Sequence, residues 1–236
     1  MPITPLFAVA VDRLAFQRAH AEHAFVDPAQ RLTSNETLQP LDSEREFPKG
    51  DALNSRDGLS TAPNPVRIVA GKHAGRDLVS PQDKRVRPTA EHVRAAMLDM
   101  VSEDLKDARV LELFAGTGAI GIEAISRGAR SADFVEFRPD SLHALRANIA
   151  AFRLRDSTRI FKRDAVPYAA MLGPASYDIA FADPPYESRQ LDRVIASWKA
   201  SLFSRVLVVE HALVHKLPRG TSARVFDDTA VTVYRA

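Results

Sequence analysis

From residue 66 onward, short apolar runs alternate with amphipathic segments. Runs of β-branched and aromatic residues predict strands, whereas apolar residues spaced three and four apart predict helices. The predicted strands are 67–70, 77–79, 110–114, 132–137, 158–162, 178–182, 205–210, 224–226 and 230–234. The predicted helices are 93–105, 119–127, 139–152, 166–172 and 189–202. This alternation indicates an α/β fold with a mostly parallel, doubly wound sheet that binds ligands at the carboxyl ends of its strands.

Two pairs of predicted strands have no helix between them. Gly71 and Gly75 lie between the first two strands, which indicates a hairpin ahead of the sheet. The last two strands are separated by residues 227–229 alone. They are therefore expected to form an antiparallel hairpin at one edge of the sheet.

The first 65 residues have a different composition. From Asp27 to Pro65 they are rich in Pro, Ser, Asn, Asp and Glu, which bury little apolar surface. We expect 1–65 to be a disordered extension. It is alternatively an artefact of the gene start, because an internal valine such as Val66 can mark a GTG start codon.

Composition and charge limit the classes of function. The chain has 236 residues, 45% of them hydrophobic and 26% charged, which suits a globular protein with one sizeable core. It has no cysteine, which excludes disulfides, thiolate metal sites and a cysteine nucleophile. No apolar run approaches the roughly 18 residues of a membrane span, so we expect a cytoplasmic protein without membrane contact.

Charge is unevenly distributed along the chain. Residues 1–65 hold 6 Lys and Arg against 9 Asp and Glu, whereas residues 66–236 hold 26 against 21. Seven of the basic residues fall between positions 66 and 94. Such a cluster indicates a polyanionic partner, or alternatively a solvated surface.

A glycine-rich turn follows the first strand of the predicted sheet. Gly116, Gly118 and Gly121 have the G-x-G-x-x-G spacing, and Glu136 lies 20 residues after the first of them. This arrangement is typical of a ribose-containing ligand, either a dinucleotide or S-adenosylmethionine. Glu112 favours S-adenosylmethionine, because a carboxylate next to the turn repels pyrophosphate and attracts the amino group of a methionine moiety. The predicted cofactor residues in this region are Glu112, Phe114, Ala115, Gly116, Gly118, Glu136 and Asp164, the last of which is equally a candidate helix N-cap.

The fourth strand of the predicted sheet ends in Asp183-Pro184-Pro185-Tyr186. The prolines remove two N–H donors, which leaves carbonyl groups and the Asp183 carboxylate to accept hydrogen bonds from a substrate amine. Tyr186 supplies an aromatic face on which an extruded base stacks. Accepting both amine protons favours a pyramidal nitrogen directed at a methyl donor. The four residues are therefore predicted to be catalytic, in methylation of an exocyclic base amine.

Four segments carry a resemblance to a known family. They are Arg67-Ile-Val-Ala-Gly-Lys-His-Ala-Gly-Arg76, Arg87-Pro-Thr89 with Arg94, the glycine turn and Asp183-Pro-Pro-Tyr186. Together they resemble the bacterial 16S rRNA guanine-N2 methyltransferases that act at guanine 966, the RsmD type. The resemblance runs from residue 66 to about 236 and implies a Rossmann-like, seven-stranded class I methyltransferase fold, S-adenosylmethionine as methyl donor, and the small ribosomal subunit as substrate.

The resemblance also assigns roles along residues 66–236. Arg67, Lys72, Arg76 and Arg87 are expected to face rRNA from a hairpin and linker over 66–87. Thr89, with Arg87 and Pro88, is expected to close over the cofactor. Residues 88–236 form the expected catalytic core. We expect the protein to be a monomer. We also expect no metal, because His73, His92 and His211 lack a second ligand at metal spacing.

Three other functions stay open from sequence. A DNA adenine or cytosine amino-methyltransferase uses a similar tetrapeptide but normally needs a target-recognition domain, for which the roughly 45 residues before the first sheet strand leave little room. An NAD-dependent oxidoreductase shares the glycine turn. A non-catalytic ribosome-assembly factor retaining the fold is the third.

Overall fold

The computed structural model describes residues 59–60, 66–81, 90–185 and 189–236. A seven-stranded sheet dominates them. Its strands are β5 (Arg109–Leu113), β6 (Ser131–Glu136), β7 (Thr158–Lys162), β8 (Tyr177–Ala182), β9 (Ser204–Ala212), β10 (Ser222–Phe226) and β11 (Thr229–Arg235). Their spatial order is β10-β11-β9-β8-β5-β6-β7. The first five of these are parallel, and β11 and β10 add antiparallel pairs at one edge. The predicted sheet and its closing hairpin are confirmed.

Helices cover both faces of this sheet. They are α1 (Glu91–Asp99), α2 (Ala119–Ser126), α3 (Pro139–Ala151), α4 (Ala165–Met171) and α5 (Gln190–Ser201). Helices α1, α2 and α3 share one apolar cluster with side chains such as Phe134, Phe181 and Val208 of the strands. Helices α4 and α5 pack against each other, and Trp198 of α5 is buried beside Tyr234 of β11. The parallel strands are buried on both faces, which explains their nearly continuous apolar sequences.

Helix α1 is shorter than the apolar spacing predicted. It ends at Asp99, and Val101 has a φ of −128°, outside the helical range. A 3-10 turn over Ser102–Asp104 follows, and both Val101 and Leu105 are buried there. Their spacing reflects burial on a turn rather than continuation of the helix.

Four short strands precede the sheet: β1 (Leu59–Ser60), β2 (Val66–Arg67), β3 (Asp77–Leu78) and β4 (Ser80–Pro81). Strands β2 and β3 form the predicted hairpin, and β1 pairs with β4. The two residues of β1 belong to the segment predicted to be disordered. The rest of that segment lies outside the described residues, so the prediction stays a prediction there.

The hairpin crosses helices α2 and α3 from one edge of the sheet to the other. Its tip lies at the amino edge, where the Lys72 amide donates to the carbonyl of Ser126, the last residue of α2. Its end lies near the carboxyl edge, where Asn148 bonds both Val79 and the Thr117 carbonyl of the glycine turn. The hairpin is thus a strap that connects the two edges.

Gly71→Ala is expected to destabilise the protein by about 1–3 kcal/mol more than Gly75→Ala. Both glycines have positive φ, 84° and 81°, so alanine is strained at either position. A Cβ at Gly71 would lie 1.9 Å from the Ser126 carbonyl oxygen, whereas a Cβ at Gly75 would have nothing within 4 Å. Urea unfolding of both variants, followed by circular dichroism, measures the difference. Equal losses would show that the strap does not pack as described.

None of the helices in the described ranges is both long and apolar enough to cross a membrane.

Candidate active site

Each of the five parallel strands has an acidic residue within two positions of its last residue. In spatial order these residues are Glu210, Asp183, Glu112, Glu136 and Asp164 on β9, β8, β5, β6 and β7. The carboxyl edge is thus lined with groups that accept hydrogen bonds and attract cations. A pyrophosphate would be repelled along this edge, whereas a cationic ligand and an amine substrate are favoured.

The glycine turn bends sharply between β5 and α2. Phe114, Gly116 and Gly118 all have positive φ, at 60°, 56° and 78°. A Cβ on Gly118 would lie 2.4 Å from Leu145, so this glycine lets α3 pack closely. A Cβ on Gly116 would meet only the Phe114 carbonyl oxygen, at 4.0 Å. The backbone at Gly116 is therefore open to the approach of a ligand.

Glu136 fixes the far side of this turn. One of its carboxylate oxygens accepts from the Gly116 amide at 2.8 Å, and the other accepts from the amides of Phe137 and Arg138, each at 2.8 Å. The carboxylate is buried and holds the turn against the end of β6. Its predicted bond to a ribose is compatible with this position and stays a prediction.

Glu112 holds the start of helix α2. Its carboxylate oxygens accept from the amides of Gly121 at 2.8 Å and Ile120 at 3.3 Å. Burial, together with the smaller effect of the Asp183 charge, raises its pKa to about 8, although those amides and Arg94 oppose the shift. Glu112 thus retains a proton near neutral pH. Its predicted contact with a methionine amino group stays a prediction.

Glu112→Gln is expected to flatten the pH dependence of stability. Between the ordinary glutamate pKa, near 4.5, and about 8 the folded protein keeps a proton that the unfolded chain has lost, so raising the pH favours unfolding. From pH 5.5 to 7.5 the protein should lose about 2 kcal/mol relative to the variant. Urea unfolding at both pH values measures this. Glu103→Gln, at an exposed carboxylate, is the control. If the free energy of unfolding of Glu112→Gln depended on pH as strongly as that of the unmodified chain, the raised pKa would be contradicted.

The Asp-Pro-Pro segment lies directly beside the glycine turn. Leu113 of β5 is in register with Ala182 of β8, the residue before Asp183. Asp183 is half-buried, and its charge acts on Glu112. Pro184 is buried and Pro185 is exposed. The predicted cofactor turn and the predicted catalytic strand end are therefore neighbours, whereas Tyr186 lies outside the described residues.

Asp164 caps helix α4, where one of its carboxylate oxygens accepts from the Val166 amide at 3.0 Å. The predicted N-cap is confirmed, and the bond to an adenine amino group stays a prediction.

Phe137 is a residue of this edge that sequence reasoning missed. Its side chain is 53% exposed directly after Glu136, so it offers a flat apolar surface near the turn. An aromatic residue following the acidic strand end was the available signal.

The predicted RNA-facing residues lie mainly away from this edge. Lys72 is exposed on the hairpin tip at the amino edge. Arg76 donates to the Ala151 carbonyl and lies 4.0 Å above the Phe152 ring, so it anchors the hairpin to the end of α3. Arg67 pairs with Asp77 at 2.8 Å. Arg87 and Thr89 fall outside the described residues, and all these assignments stay predictions.

His211 lies in the wall of a cavity of about 330 Å³ beside β11. Its Nε2 is 3.0 Å from the Thr232 hydroxyl and its Nδ1 is 3.0 Å from the Ala212 carbonyl oxygen. Burial lowers its pKa, so a neutral ring fits both contacts. Over the residues with described positions, no group of three or more His, Asp or Glu side chains is arranged to hold a metal.

The sheet order, the glycine turn after the central strand and the Asp-Pro-Pro segment on its neighbour together define the class. The protein has the Rossmann-like fold of the class I methyltransferases. Within that class, the chain belongs to the family described as conserved hypothetical protein 95, whose profile matches residues 66–224. The resemblance to the RsmD type is thereby confirmed at the level of the family.

Individual relatives agree with this placement. The ribosomal RNA small subunit methyltransferase D of Escherichia coli K12 is 32% identical over 130 residues, which are 55% of this chain and 65% of that protein. The matched region is thus less than two thirds of that relative's length. YlbH of Bacillus subtilis, provisionally named an rRNA methyltransferase, is 26% identical over 72% of this chain and 98% of its own. The solved structure of the Escherichia coli protein yhhF, provisionally named a methyltransferase, has a TM-score of 0.63 and 28% identity over 72% of this chain and 96% of its own.

Proposed function

We propose that this protein transfers a methyl group from S-adenosylmethionine to the exocyclic N2 amine of a guanine in 16S rRNA, within the small ribosomal subunit. The observation that carries the proposal is the adjacency of Asp183 to Glu112 and the glycine turn. A methyl donor bound at the turn and an amine held at Asp183 would meet there. The names of the relatives support rRNA as the substrate.

The residues at the edge fit S-adenosylmethionine better than a dinucleotide. Gly116 leaves its backbone open, and Glu136 and Asp164 offer acceptors beside it that favour ribose and amine groups over a phosphate. The cofactor supplies an electrophilic methyl group on a cationic sulfur. No metal forms part of the proposed reaction.

The chain's own contribution is positioning and electrostatic stabilisation. Asp183 accepts a hydrogen bond from one N–H of the amine, and a carbonyl group of the Asp-Pro-Pro segment accepts one from the other N–H, so the nitrogen lone pair turns toward the donor. Pro184 and Pro185 have no N–H groups that would compete for those acceptors. Asp183 stabilises positive charge that develops on the nitrogen, and one N–H proton passes by way of Asp183 to solvent as the new nitrogen–carbon bond forms. Tyr186 is proposed to stack on the base.

The proposal covers domain organisation and location. We assign 66–236 to the methyltransferase domain, 66–87 to its hairpin and linker, and 88–236 to the catalytic core. The protein is proposed to act in the cytoplasm as a monomer. Lys72, with Arg67, Arg76 and Arg87, is proposed to contact rRNA that extends around the domain.

Methyl transfer from tritiated S-adenosylmethionine tests the proposal. The full chain is incubated separately with small ribosomal subunits, naked 16S rRNA and duplex DNA, and labelled nucleotides are identified by mass mapping. Labelling of a guanine N2 in the subunit is the expected result. Labelling of DNA alone would establish an amino-methyltransferase of DNA instead, and binding of NAD without S-adenosylmethionine in calorimetry would indicate an oxidoreductase. Subunit binding without any transfer would indicate an assembly factor.

A further inference from the structure

Glu210 lies beside Asp183 at the carboxyl edge. Strands β8 and β9 are parallel, with Phe181 in register with Val208 and Ala182 in register with Val209. The next position along each chain is Asp183 on one side and Glu210 on the other. Neighbouring strands lie about 4.8 Å apart, so the two carboxyl groups belong to adjacent positions.

The two carboxyl groups also share a face of the sheet. Phe181 and Val208 point into the core beneath α1 and α2, and side chains two residues further along a strand point the same way. Asp183 is also close enough to Glu112, whose carboxyl group bonds the start of α2 on this face, for its charge to raise the pKa of that group. Glu210 is 3% exposed. Asp183 thus lies on the strand between the two others, level with Glu210 and two positions beyond Glu112 along the strand direction.

The order of these three strands gives a direction to the bound base. The glycine turn lies on the Glu112 side of Asp183, and the methyl donor is proposed to bind there. The ring of a base whose amine sits at Asp183 then extends away from the donor, toward β9. One of the two ring atoms bonded to the amino-bearing carbon comes to Glu210.

We infer that Glu210 is a specificity-determining residue that accepts a hydrogen bond from the N1–H group of the target guanine. The inference rests on the proposed function. In guanine one of the two ring nitrogens bonded to the amino-bearing carbon is a donor, N1–H, and the other, N3, is an acceptor. In adenine and cytosine the corresponding ring nitrogen is an acceptor, which a carboxylate repels. A base with adjacent donors also offsets the repulsion between two neighbouring carboxylates.

An altered base in the substrate tests this inference. Small subunits are assembled with 16S rRNA that carries either guanine or 2-aminopurine at the methylated position; 2-aminopurine keeps the 2-amine but lacks the 6-oxo group and has a lone pair at N1. The full chain should methylate guanine at least roughly 10-fold faster, as expected for loss of a hydrogen bond to a charged group. Glu210→Gln should methylate guanine more slowly and reduce the preference, because its amide can donate to N1. Glu103→Gln, an equal charge change at an exposed site, should keep the preference of the unmodified chain.

The outcomes separate this inference from the proposed function. If the unmodified chain fails to methylate guanine-containing subunits, the proposed function is wrong. If it methylates guanine and 2-aminopurine at equal rates, the function stands and the role of Glu210 is overturned, whether or not the variant folds. An unchanged preference in Glu210→Gln that still binds S-adenosylmethionine normally also overturns it. A reduced preference with normal cofactor affinity supports it, since a purely structural role would not change the ratio.

Discussion

Asp183→Asn is expected to slow methyl transfer by roughly 10²- to 10³-fold while leaving the affinity for S-adenosylmethionine nearly unchanged. Asparagine has almost the same shape but lacks the charge that stabilises the developing ammonium. Its amide group also brings donors toward the substrate amine. Single-turnover transfer to small subunits measures the rate, and calorimetry measures cofactor binding. A loss confined to the rate identifies an interaction made in the transition state.

The control for this variant is Asp192→Asn. Asp192 lies in the first turn of α5, where it pairs with His215 at 3.1 Å. It carries the same charge as Asp183 but has no proposed part in the reaction, so its rate should stay within about threefold of the unmodified chain, an energy difference below ~1 kcal/mol. Asp183→Asn should also lower the pKa of Glu112, because it removes a neighbouring charge that raises that pKa. Full activity of Asp183→Asn would refute the proposed mechanism.

The sequence predicted the sheet and the helices well because periodicity reports burial directly. It also predicted that Asp183 and the glycine turn end parallel strands, and such ends share one edge of a sheet. Their direct adjacency depends on strand order, since β8 inserts beside β5 although two strands intervene along the chain. No local pattern encodes that order. Family resemblance was the available signal.

Glu210 shows where sequence reasoning stopped short. The predicted strand ended at Glu210, whereas β9 continues to Ala212. An acidic residue late in an otherwise apolar strand is the same signal that singled out Glu112. Glu210 lies on β9 and Asp183 follows β8, so only the order of strands in the sheet places the two residues side by side.

The hairpin over residues 66–81 shows a second limit of prediction from sequence. Its glycines and basic residues predicted a turn and an exposed surface, and Lys72 is exposed. The contacts that put the tip at the amino edge join residues far apart in sequence, such as Lys72 with Ser126 and Arg76 with Ala151. A contact with rRNA at Lys72 therefore requires the substrate to reach past the domain from the carboxyl edge.

In the sequence Arg94 belongs to the basic cluster and to one of the segments that carry the family resemblance, yet it is completely buried. Its Nε donates to Glu123 at 2.9 Å, and one terminal nitrogen donates to the Arg67 carbonyl at the base of the strap. Glu123 is buried as well and also accepts from Arg127 at 2.6 Å. The signal was its spacing, three and four residues before the buried Met97 and Leu98, which puts it on the apolar face of α1.

Arg94→Leu is expected to lower the free energy of unfolding by about 3–5 kcal/mol, because it leaves part of the Glu123 charge uncompensated in the core. The Arg67 carbonyl would also lose its donor. Urea unfolding measures the loss, and Arg67→Met, in an exposed pair with Asp77, should cost less than about 1 kcal/mol. Since Arg94 lowers the pKa of Glu112, its removal should raise that pKa further. A loss in Arg94→Leu as small as in Arg67→Met would show that this ion pair does not hold the strap to the catalytic core.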